Sequence, residues 1–315
     1  MTDRRATDGP VLARLRRPTG DGTRFAVVAD PHVSTRAEGT SKLFEHTLDH
    51  FEAALDDVGR RNVDAVLSPG DLTKDGEPWN YDAVDAALDS LDAPFYAVPG
   101  NHDVPKESDE HERLSAAAFG DRYGAGAFPY RVRVGDVDVV GVNTAGTADR
   151  LFESHDGRVD DAQLDRLAAT LADARNPVVL AHHNFPPVGD QIARHRETVE
   201  PEMVELPGMR DPEPFAETLA GGDAPLAFTG HYHLPATGEY RGVREVATPT
   251  TCSFPQSYLL VDVTSEGTVI RLVPVADEVG LESAHAKRTA DSTTARGLTG
   301  IAAARLATMP LVDEW

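Results

Sequence analysis

The chain has 315 residues with 52 acidic against 30 basic side chains, a net charge of −22 and 40% hydrophobic content. That apolar content supports a sizeable core in one large or two small domains, while the acidity argues against a sequence-independent grip on nucleic acid. Cys252 is the only cysteine, which excludes an internal disulfide, and no apolar window approaches the ~20 residues of a membrane span.

Residues 1–23 mix Arg, Pro, Gly and Asp and read as a loose arm or an edge strand, without the continuous apolar region of a signal peptide. RFAVVAD (24–30) is a strand-type run, and over 41–61 Leu43, Phe44, Thr47, Leu48, Phe51, Leu55 and Val58 recur at helical spacing. VDAVLSPGD (63–71) predicts a strand, WNYDAVDAALDSL (79–91) a helix and PFYAVPGNHD (94–103) a strand. This β-α-β-α-β order calls for a parallel sheet with helices packed on it. In YRVRVGDVDVVGVNT (130–144), Gly135-Asp136 suits a hairpin turn. A helix follows over 161–174, a strand over 177–183, a helix near 212–220 and a strand over 225–233. The runs 240–249, 257–265 and 268–276 have no helix between them and predict antiparallel strands. Two facing sheets with helices outside, in one domain over 24–278, account for this order. Residues 279–315 form a C-terminal appendage with a helix at TGIAAARLATM.

Five apolar runs end in polar clusters: Asp30-Pro-His32, Gly70-Asp71, Gly100-Asn101-His102-Asp103, His182-His183 and Gly230-His231-Tyr232-His233. Ligands of α/β sheets bind beyond the carboxyl ends of strands, so strands lying side by side would bring all five to one crevice. Carboxylate, imidazole and amide oxygen without thiolate suit divalent Mn, Fe, Zn or Co. In extended chain, residues i and i+2 point the same way, so Asp30 with His32, and His231 with His233, would each present two donors to one side. Gly70 and Gly100 would let the backbone turn sharply, and Asp71 could bridge two ions with its two oxygens. Alone, each piece has a blander reading: a cap at Asp30, a turn at Gly70-Asp71, core imidazoles at His182-His183. The five in order favour a metal site.

The pattern D-x-H, G-D, G-N-H-D, H, G-H-x-H over 30–233 resembles the calcineurin-like metallophosphoesterase superfamily. GDLTKDGEPWNYDAV, FYAVPGNHD and HDGRVDDAQLDRL look like its branch of class III cyclic nucleotide phosphodiesterases. The resemblance implies a four-layer α-β-β-α sandwich with a dinuclear site at the C-terminal ends of the strands. Carried over by motif position, Asp30, His32 and His233 would hold one ion, Asn101, His182 and His231 the other, and Asp71 would bridge them. His102 would stay off the metals as general acid or electrostatic stabiliser, with Asp103 paired to it. His183 stands beside the ligands, and Arg194 and His195 follow on the segment where relatives place substrate contacts. Relatives often read H-H-P-P where this chain has HHNFPP, which puts Asn184 and Phe185 at the expected site wall.

The implied reaction is hydrolysis of a small phosphodiester. Two ions ~3.5–4 Å apart neutralise the ester oxygens and activate a bridging water for in-line attack on phosphorus. The competing readings are a DNA nuclease of the same superfamily, against which the acidic surface and the lack of a coiled-coil insertion stand, and a non-catalytic scaffold, against which the full ligand set stands. The partners implied are a small phosphorylated substrate, with a homo-oligomer allowed, no membrane and no nucleic acid. Lysine occurs only at 42, 74, 106 and 287, and an acidic, lysine-poor surface suits a salt-rich cytosol. A single cysteine, read as a small buried hydrophobe, fits a reducing cytoplasm. His46, His50 and His111 read as solvated helix faces, His155 as a loop residue, and Trp79 and Tyr81 as packing.

Overall fold

The computed structural model describes residues 8–105, 111–147, 150–151 and 155–315. The strands are β1 (Val11–Leu15), β2 (Thr23–Val27), β3 (Ala65–Ser68), β4 (Phe95–Ala97), β5 (Tyr130–Val134), β6 (Val137–Gly141), β7 (Gly146–Thr147), β8 (Arg150–Leu151), β9 (Pro177–Leu180), β10 (Leu226–Thr229), β11 (Ala236–Tyr240), β12 (Val243–Ala247), β13 (Ser257–Thr264), β14 (Gly267–Pro274) and β15 (Val312–Asp313). The helices are α1 (Thr47–Gly59), α2 (Pro78–Leu88), α3 (Ala116–Tyr123), α4 (Asp161–Ala172), α5 (Pro186–Thr198), α6 (Pro212–Gly221), α7 (Glu278–Asp291) and α8 (Thr293–Ala307).

Two mixed sheets face each other, one in the order β15-β1-β14-β13-β2-β3-β4, the other β11-β12-β10-β9-β6-β5. Strands β2, β3 and β4 run parallel, as do β6, β9, β10 and β12. Period-2 alternation assigns the layers. Val139, Val178, Leu180, Leu226 and Phe228 face the first sheet, where Phe25 meets Phe228 edge-on at 5.9 Å. Their neighbours Val140, Val179 and Ala227 face outward onto Leu167 and Leu171 of α4 and Phe215 and Leu219 of α6. On the far side of the first sheet, Phe51 and Leu55 of α1, Tyr81 and Val84 of α2 and Phe119 of α3 complete the four layers.

The strand over 240–249 does not join the other two tail strands. As β12 it pairs antiparallel with β11 and parallel with β10 in the second sheet, whereas β13 and β14 form the antiparallel hairpin of the first. A hydrophobic strand pairs with whichever sheet lies beside it, and the loop over 248–256 crosses between the two. Residues 11–15, from the stretch expected as arm or edge strand, lie inside the sheet between β14 and β15. Helices α7 and α8, from the stretch expected as an appendage, pack Ala284, Leu298 and Ile301 against Val188, Ile192, Leu234 and Phe254. Among the described residues no helix is long and apolar enough to cross a membrane.

Candidate metal centre

The five clusters follow β2, β3, β4, β9 and β10, and converge on one end of the two sheets, around a cavity of about 300 Å³. The backbone there is unusual. Asp30, His32, Asp71, His231 and His233 have φ of 48°, 45°, 54°, 69° and 55°, a region that disfavours residues bearing a Cβ. Asp30 and His32 therefore meet through left-handed turns, not through extended alternation. The same turns send His231 and His233 apart, His231 toward His182 and His233 toward Asp30 and His32. Gly70 has φ 101°, and a Cβ at Gly100 would drive into the Asp71 carboxylate.

Two groups of donors result. In one, His32 Nε2 and His233 Nε2 lie 3.0 Å apart, Asp30 Oδ1 lies 3.5 Å from His233 Nε2, and Asp71 Oδ2 lies 3.5 Å from His32 Nε2. In the other, Asn101 Oδ1 is 3.0 Å from both His182 Nε2 and His231 Nδ1. The outer nitrogens of these two rings donate to carbonyls, His182 Nδ1 to Pro69 and His231 Nε2 to Pro207, each at 2.8 Å. Their inner nitrogens thus carry lone pairs, aimed at an oxygen that also has only lone pairs. Asp71 Oδ2 is 3.5 Å from His182 Nε2 as well, while its Oδ1 accepts the His102 N–H at 2.8 Å. A single carboxylate oxygen, not two, stands between the groups.

Converging lone pairs repel unless a proton or cation lies among them. Asp30 Oδ2 is buried without a hydrogen-bond partner. Burial pushes His182, His32 and His233 below the usual imidazole range and His231 down to about 3, so all four are neutral donors at pH 7. Burial, reinforced by Asp71, raises Asp30; at Asp71 burial acts the same way but is outweighed by neighbouring positive charge, Lys42 included, which holds its carboxyl low. The residues present fit divalent cations of the borderline kind.

His102 projects into the cavity, with Nδ1 2.7 Å from the Lys74 carbonyl and 2.9 Å from Asp75 Oδ1. The carboxylate on His102 is therefore Asp75, and the expected pairing with Asp103 is corrected. Asp103 is fully buried and accepts from the N–H groups of Leu72 (3.1 Å), Thr73 (3.2 Å) and Gly100 (3.0 Å). Consecutive side chains of a tight turn leave it in different directions, so Asp103 braces the turn after β3 while His102 faces the cavity.

Three further expected contacts are placed otherwise by the structure. Both ring nitrogens of His183 hydrogen-bond, Nδ1 with the Thr144 hydroxyl at 2.9 Å and Nε2 with the His155 carbonyl at 3.1 Å, and the ring clusters with His182 and His231. Arg194 is exposed beside a separate surface cleft with Arg305, and His195 lies against Gly300 of α8, because α5 turns Val188 and Ile192 inward instead. Asn184 is buried, its amide donating to Thr229 Oγ1 (2.7 Å) and Glu245 Oε1 (2.9 Å), and Phe185 stacks on Phe215.

Of the histidines read as bland, His155 contacts Asn101 Nδ2 through Nδ1 at 2.9 Å, and His50 is half-buried with Nδ1 on the Cys252 carbonyl at 3.1 Å. His46 is exposed, and His111 meets Trp79 edge-on at 5.7 Å. Tyr81 packs in the core and donates its hydroxyl to the Asp103 carbonyl at 3.0 Å. Sequence reasoning missed Lys42, Asp75 and Arg288. Lys42 Nζ lies 3.2 Å from His32 Nδ1 and 3.3 Å from His102 Nε2. Arg288 of α7 is buried at the cavity, with one terminal nitrogen donating to the carbonyls of His233 (3.1 Å) and Phe254. Scarcity of lysine was the one signal available for Lys42; no spacing links Asp75 or Arg288 to the motifs.

A model of the calcineurin-like phosphoesterase family matches residues 23–235. A "probable cyclic nucleotide phosphodiesterase" of Pseudoalteromonas sp. is 25% identical over 232 residues, covering 72% of this chain and 78% of that protein. A 3',5'-cyclic adenosine monophosphate phosphodiesterase of Haemophilus influenzae is 27% identical over 239 residues, covering 71% and 75%. Among solved structures, a dimetal phosphatase from Danio rerio aligns with a TM-score of 0.53 at 16% identity, over 81% of this chain and 97% of that one. A purple acid phosphatase from yellow lupin seeds aligns with a TM-score of 0.52 at 13% identity, over 82% and 52%. At those identities the structures establish a shared fold.

Proposed function

Because the chain belongs to the calcineurin-like phosphoesterase family, we propose that it is a two-metal phosphodiesterase for a small phosphodiester, with a cyclic nucleotide as the candidate substrate. One observation carries the reading: two groups of inward lone pairs meet at Asp71 Oδ2, 3.5 Å from a ring nitrogen of each. Asp30, His32 and His233 would hold one ion, Asn101, His182 and His231 the other. Two divalent ions held there would supply neutralisation of the ester oxygens and activation of a water.

The chain's own residues do the rest. The carbonyls of Pro69 and Pro207 fix which nitrogen of His182 and His231 faces inward, so the donor set is oriented before any ion arrives. The Lys74 carbonyl and Asp75 accept from His102 Nδ1–H and so orient the ring with Nε2 in the cavity, where it would exchange a proton with the leaving oxygen. Leu206, Pro207 and Leu298 give the cavity an apolar wall, and its volume of about 300 Å³ suits a small ligand. A net charge of −22, with four lysines, fits a protein working in a salt-rich cytoplasm on small anions drawn by its metals rather than on a polyanion.

Hydrolysis of bis-p-nitrophenyl phosphate, 3',5'-cyclic AMP and single-stranded DNA with Mn tests this. The expected result is turnover of the diester and the cyclic nucleotide, abolished by chelation and restored by Mn. No turnover with any divalent ion refutes the reading, and preferential cleavage of DNA replaces it with a nuclease.

A further inference from the structure

Lys42 is one of four lysines in a chain with 52 acidic residues, and it stands at the wall of the metal cavity with Asp71, Asn101, His102 and His233. Among the described residues, no carboxylate lies within ion-pair distance of its Nζ, whose polar neighbours are His32 Nδ1 at 3.2 Å and His102 Nε2 at 3.3 Å. The side chain is held there by its loop. The backbone turns left-handed at Thr40 (φ 61°) and Leu43 (φ 56°), and Leu43 and Phe44 are buried directly after it.

An ammonium carries three N–H donors and no acceptor. If His32 gives its Nε2 lone pair to a cation, the neutral ring keeps its proton on Nδ1 and can no longer accept from Lys42. His102 Nε2 is then the one ring nitrogen left to it. A lysine so placed is repelled by the cations beside it, unless an anion enters between them. Lysine is a common point-charge partner of phosphate.

Resting on the phosphodiesterase reading, we propose that Lys42 is a further catalytic residue that donates to a non-bridging phosphoryl oxygen of the substrate. It would bind phosphate from the side away from the ions and counter the charge that grows on the phosphoryl oxygens during attack. A lysine serving only to hold His32 would instead support metal retention and leave phosphate binding alone.

The test compares Mn-loaded wild type with Lys42→Met, Lys42→Gln and Lys42→Arg, titrating each with inorganic phosphate by calorimetry and measuring bound Mn. Lys42→Met and Lys42→Gln should weaken phosphate binding by about 10–100-fold, as for loss of a hydrogen bond to a charged group, with Mn retention unchanged or increased. Lys42→Arg should recover most of the affinity. For bis-p-nitrophenyl phosphate, kcat/KM should fall in the same order. Phosphate affinity within about twofold of wild type in the Met and Gln variants overturns the proposal, as does loss of Mn with normal phosphate affinity once Mn is restored. Wild type that binds phosphate through Lys42 yet turns over no diester would uphold this inference and remove the phosphodiesterase reading.

Discussion

Asn101, His102 and Asp103 are consecutive, yet three different parts of the fold orient them. Asn101 meets His182 and His231, His102 is held by Asp75 and the Lys74 carbonyl, and Asp103 ties together the turns after β3 and β4. This separation predicts different phenotypes. His102→Ala should keep its Mn and lose about 10²–10⁴-fold in turnover, the usual yield of a positioned acid–base group; loss of bound metal would contradict that role. Asp75→Asn should lower kcat with little change in thermal midpoint. Asp103→Asn should do the reverse, costing about 1–3 kcal/mol of stability, because an amide places a donor against backbone donors. Denaturant titration of the two variants, set beside their kinetics, checks the pair. The types and order of the site residues were readable, since each ends an apolar run. The partner of His102 was not, because Asp75 lies 27 positions earlier and meets it only through the packing of two turns.

At the scale of elements, the departure HHNFPP finds its cause in β12. Glu245 is buried on that strand and accepts from Asn184, from Thr229 Oγ1 at 2.7 Å and from the Phe185 N–H at 3.1 Å, which clamps the start of α5 to the second sheet. Burial pushes the Glu245 carboxyl up to about 7 against the opposing effect of these donors. An unfolded glutamate titrates near 4.3, so between those values the folded chain holds a proton that the unfolded chain has released. Stability from this group is therefore lost as pH rises through that window. Thermal midpoints from about pH 5 to about pH 8 should fall more steeply for wild type than for Glu245→Gln, and parallel curves would sink the argument. Helices α7 and α8 show the limit of periodicity at this scale. Their apolar contacts, through Ala284, Leu298, Ile301 and Ala302, acquire meaning only against α5 and the loop before β11.

For the whole molecule, stacking the two sheets puts the ends of β2, β3, β4, β9 and β10 on one rim and brings together side chains as distant as His32 and His233. The net charge of −22 acts at the same scale, as self-repulsion that dissolved salt screens. The thermal midpoint should therefore rise as KCl is increased from about 0.1 M to about 2 M, and a midpoint that rose as salt was removed would refute the salt-adapted reading. By itself the sequence determined the alternation of strands and helices, the facing sheets, and which strand ends carry side chains able to ligate a metal. Those are local properties: apolar periodicity, turn residues, and the chemistry of one side chain. Only the tertiary structure decided which sheet β12 joins, that one oxygen of Asp71 stands between the two donor groups, that Asp75 holds His102, that Arg194 and His195 face away, and that Lys42 enters the cavity. Each of these depends on how separate turns, several with left-handed backbone, settle against one another, and no periodicity along the chain encodes that contact.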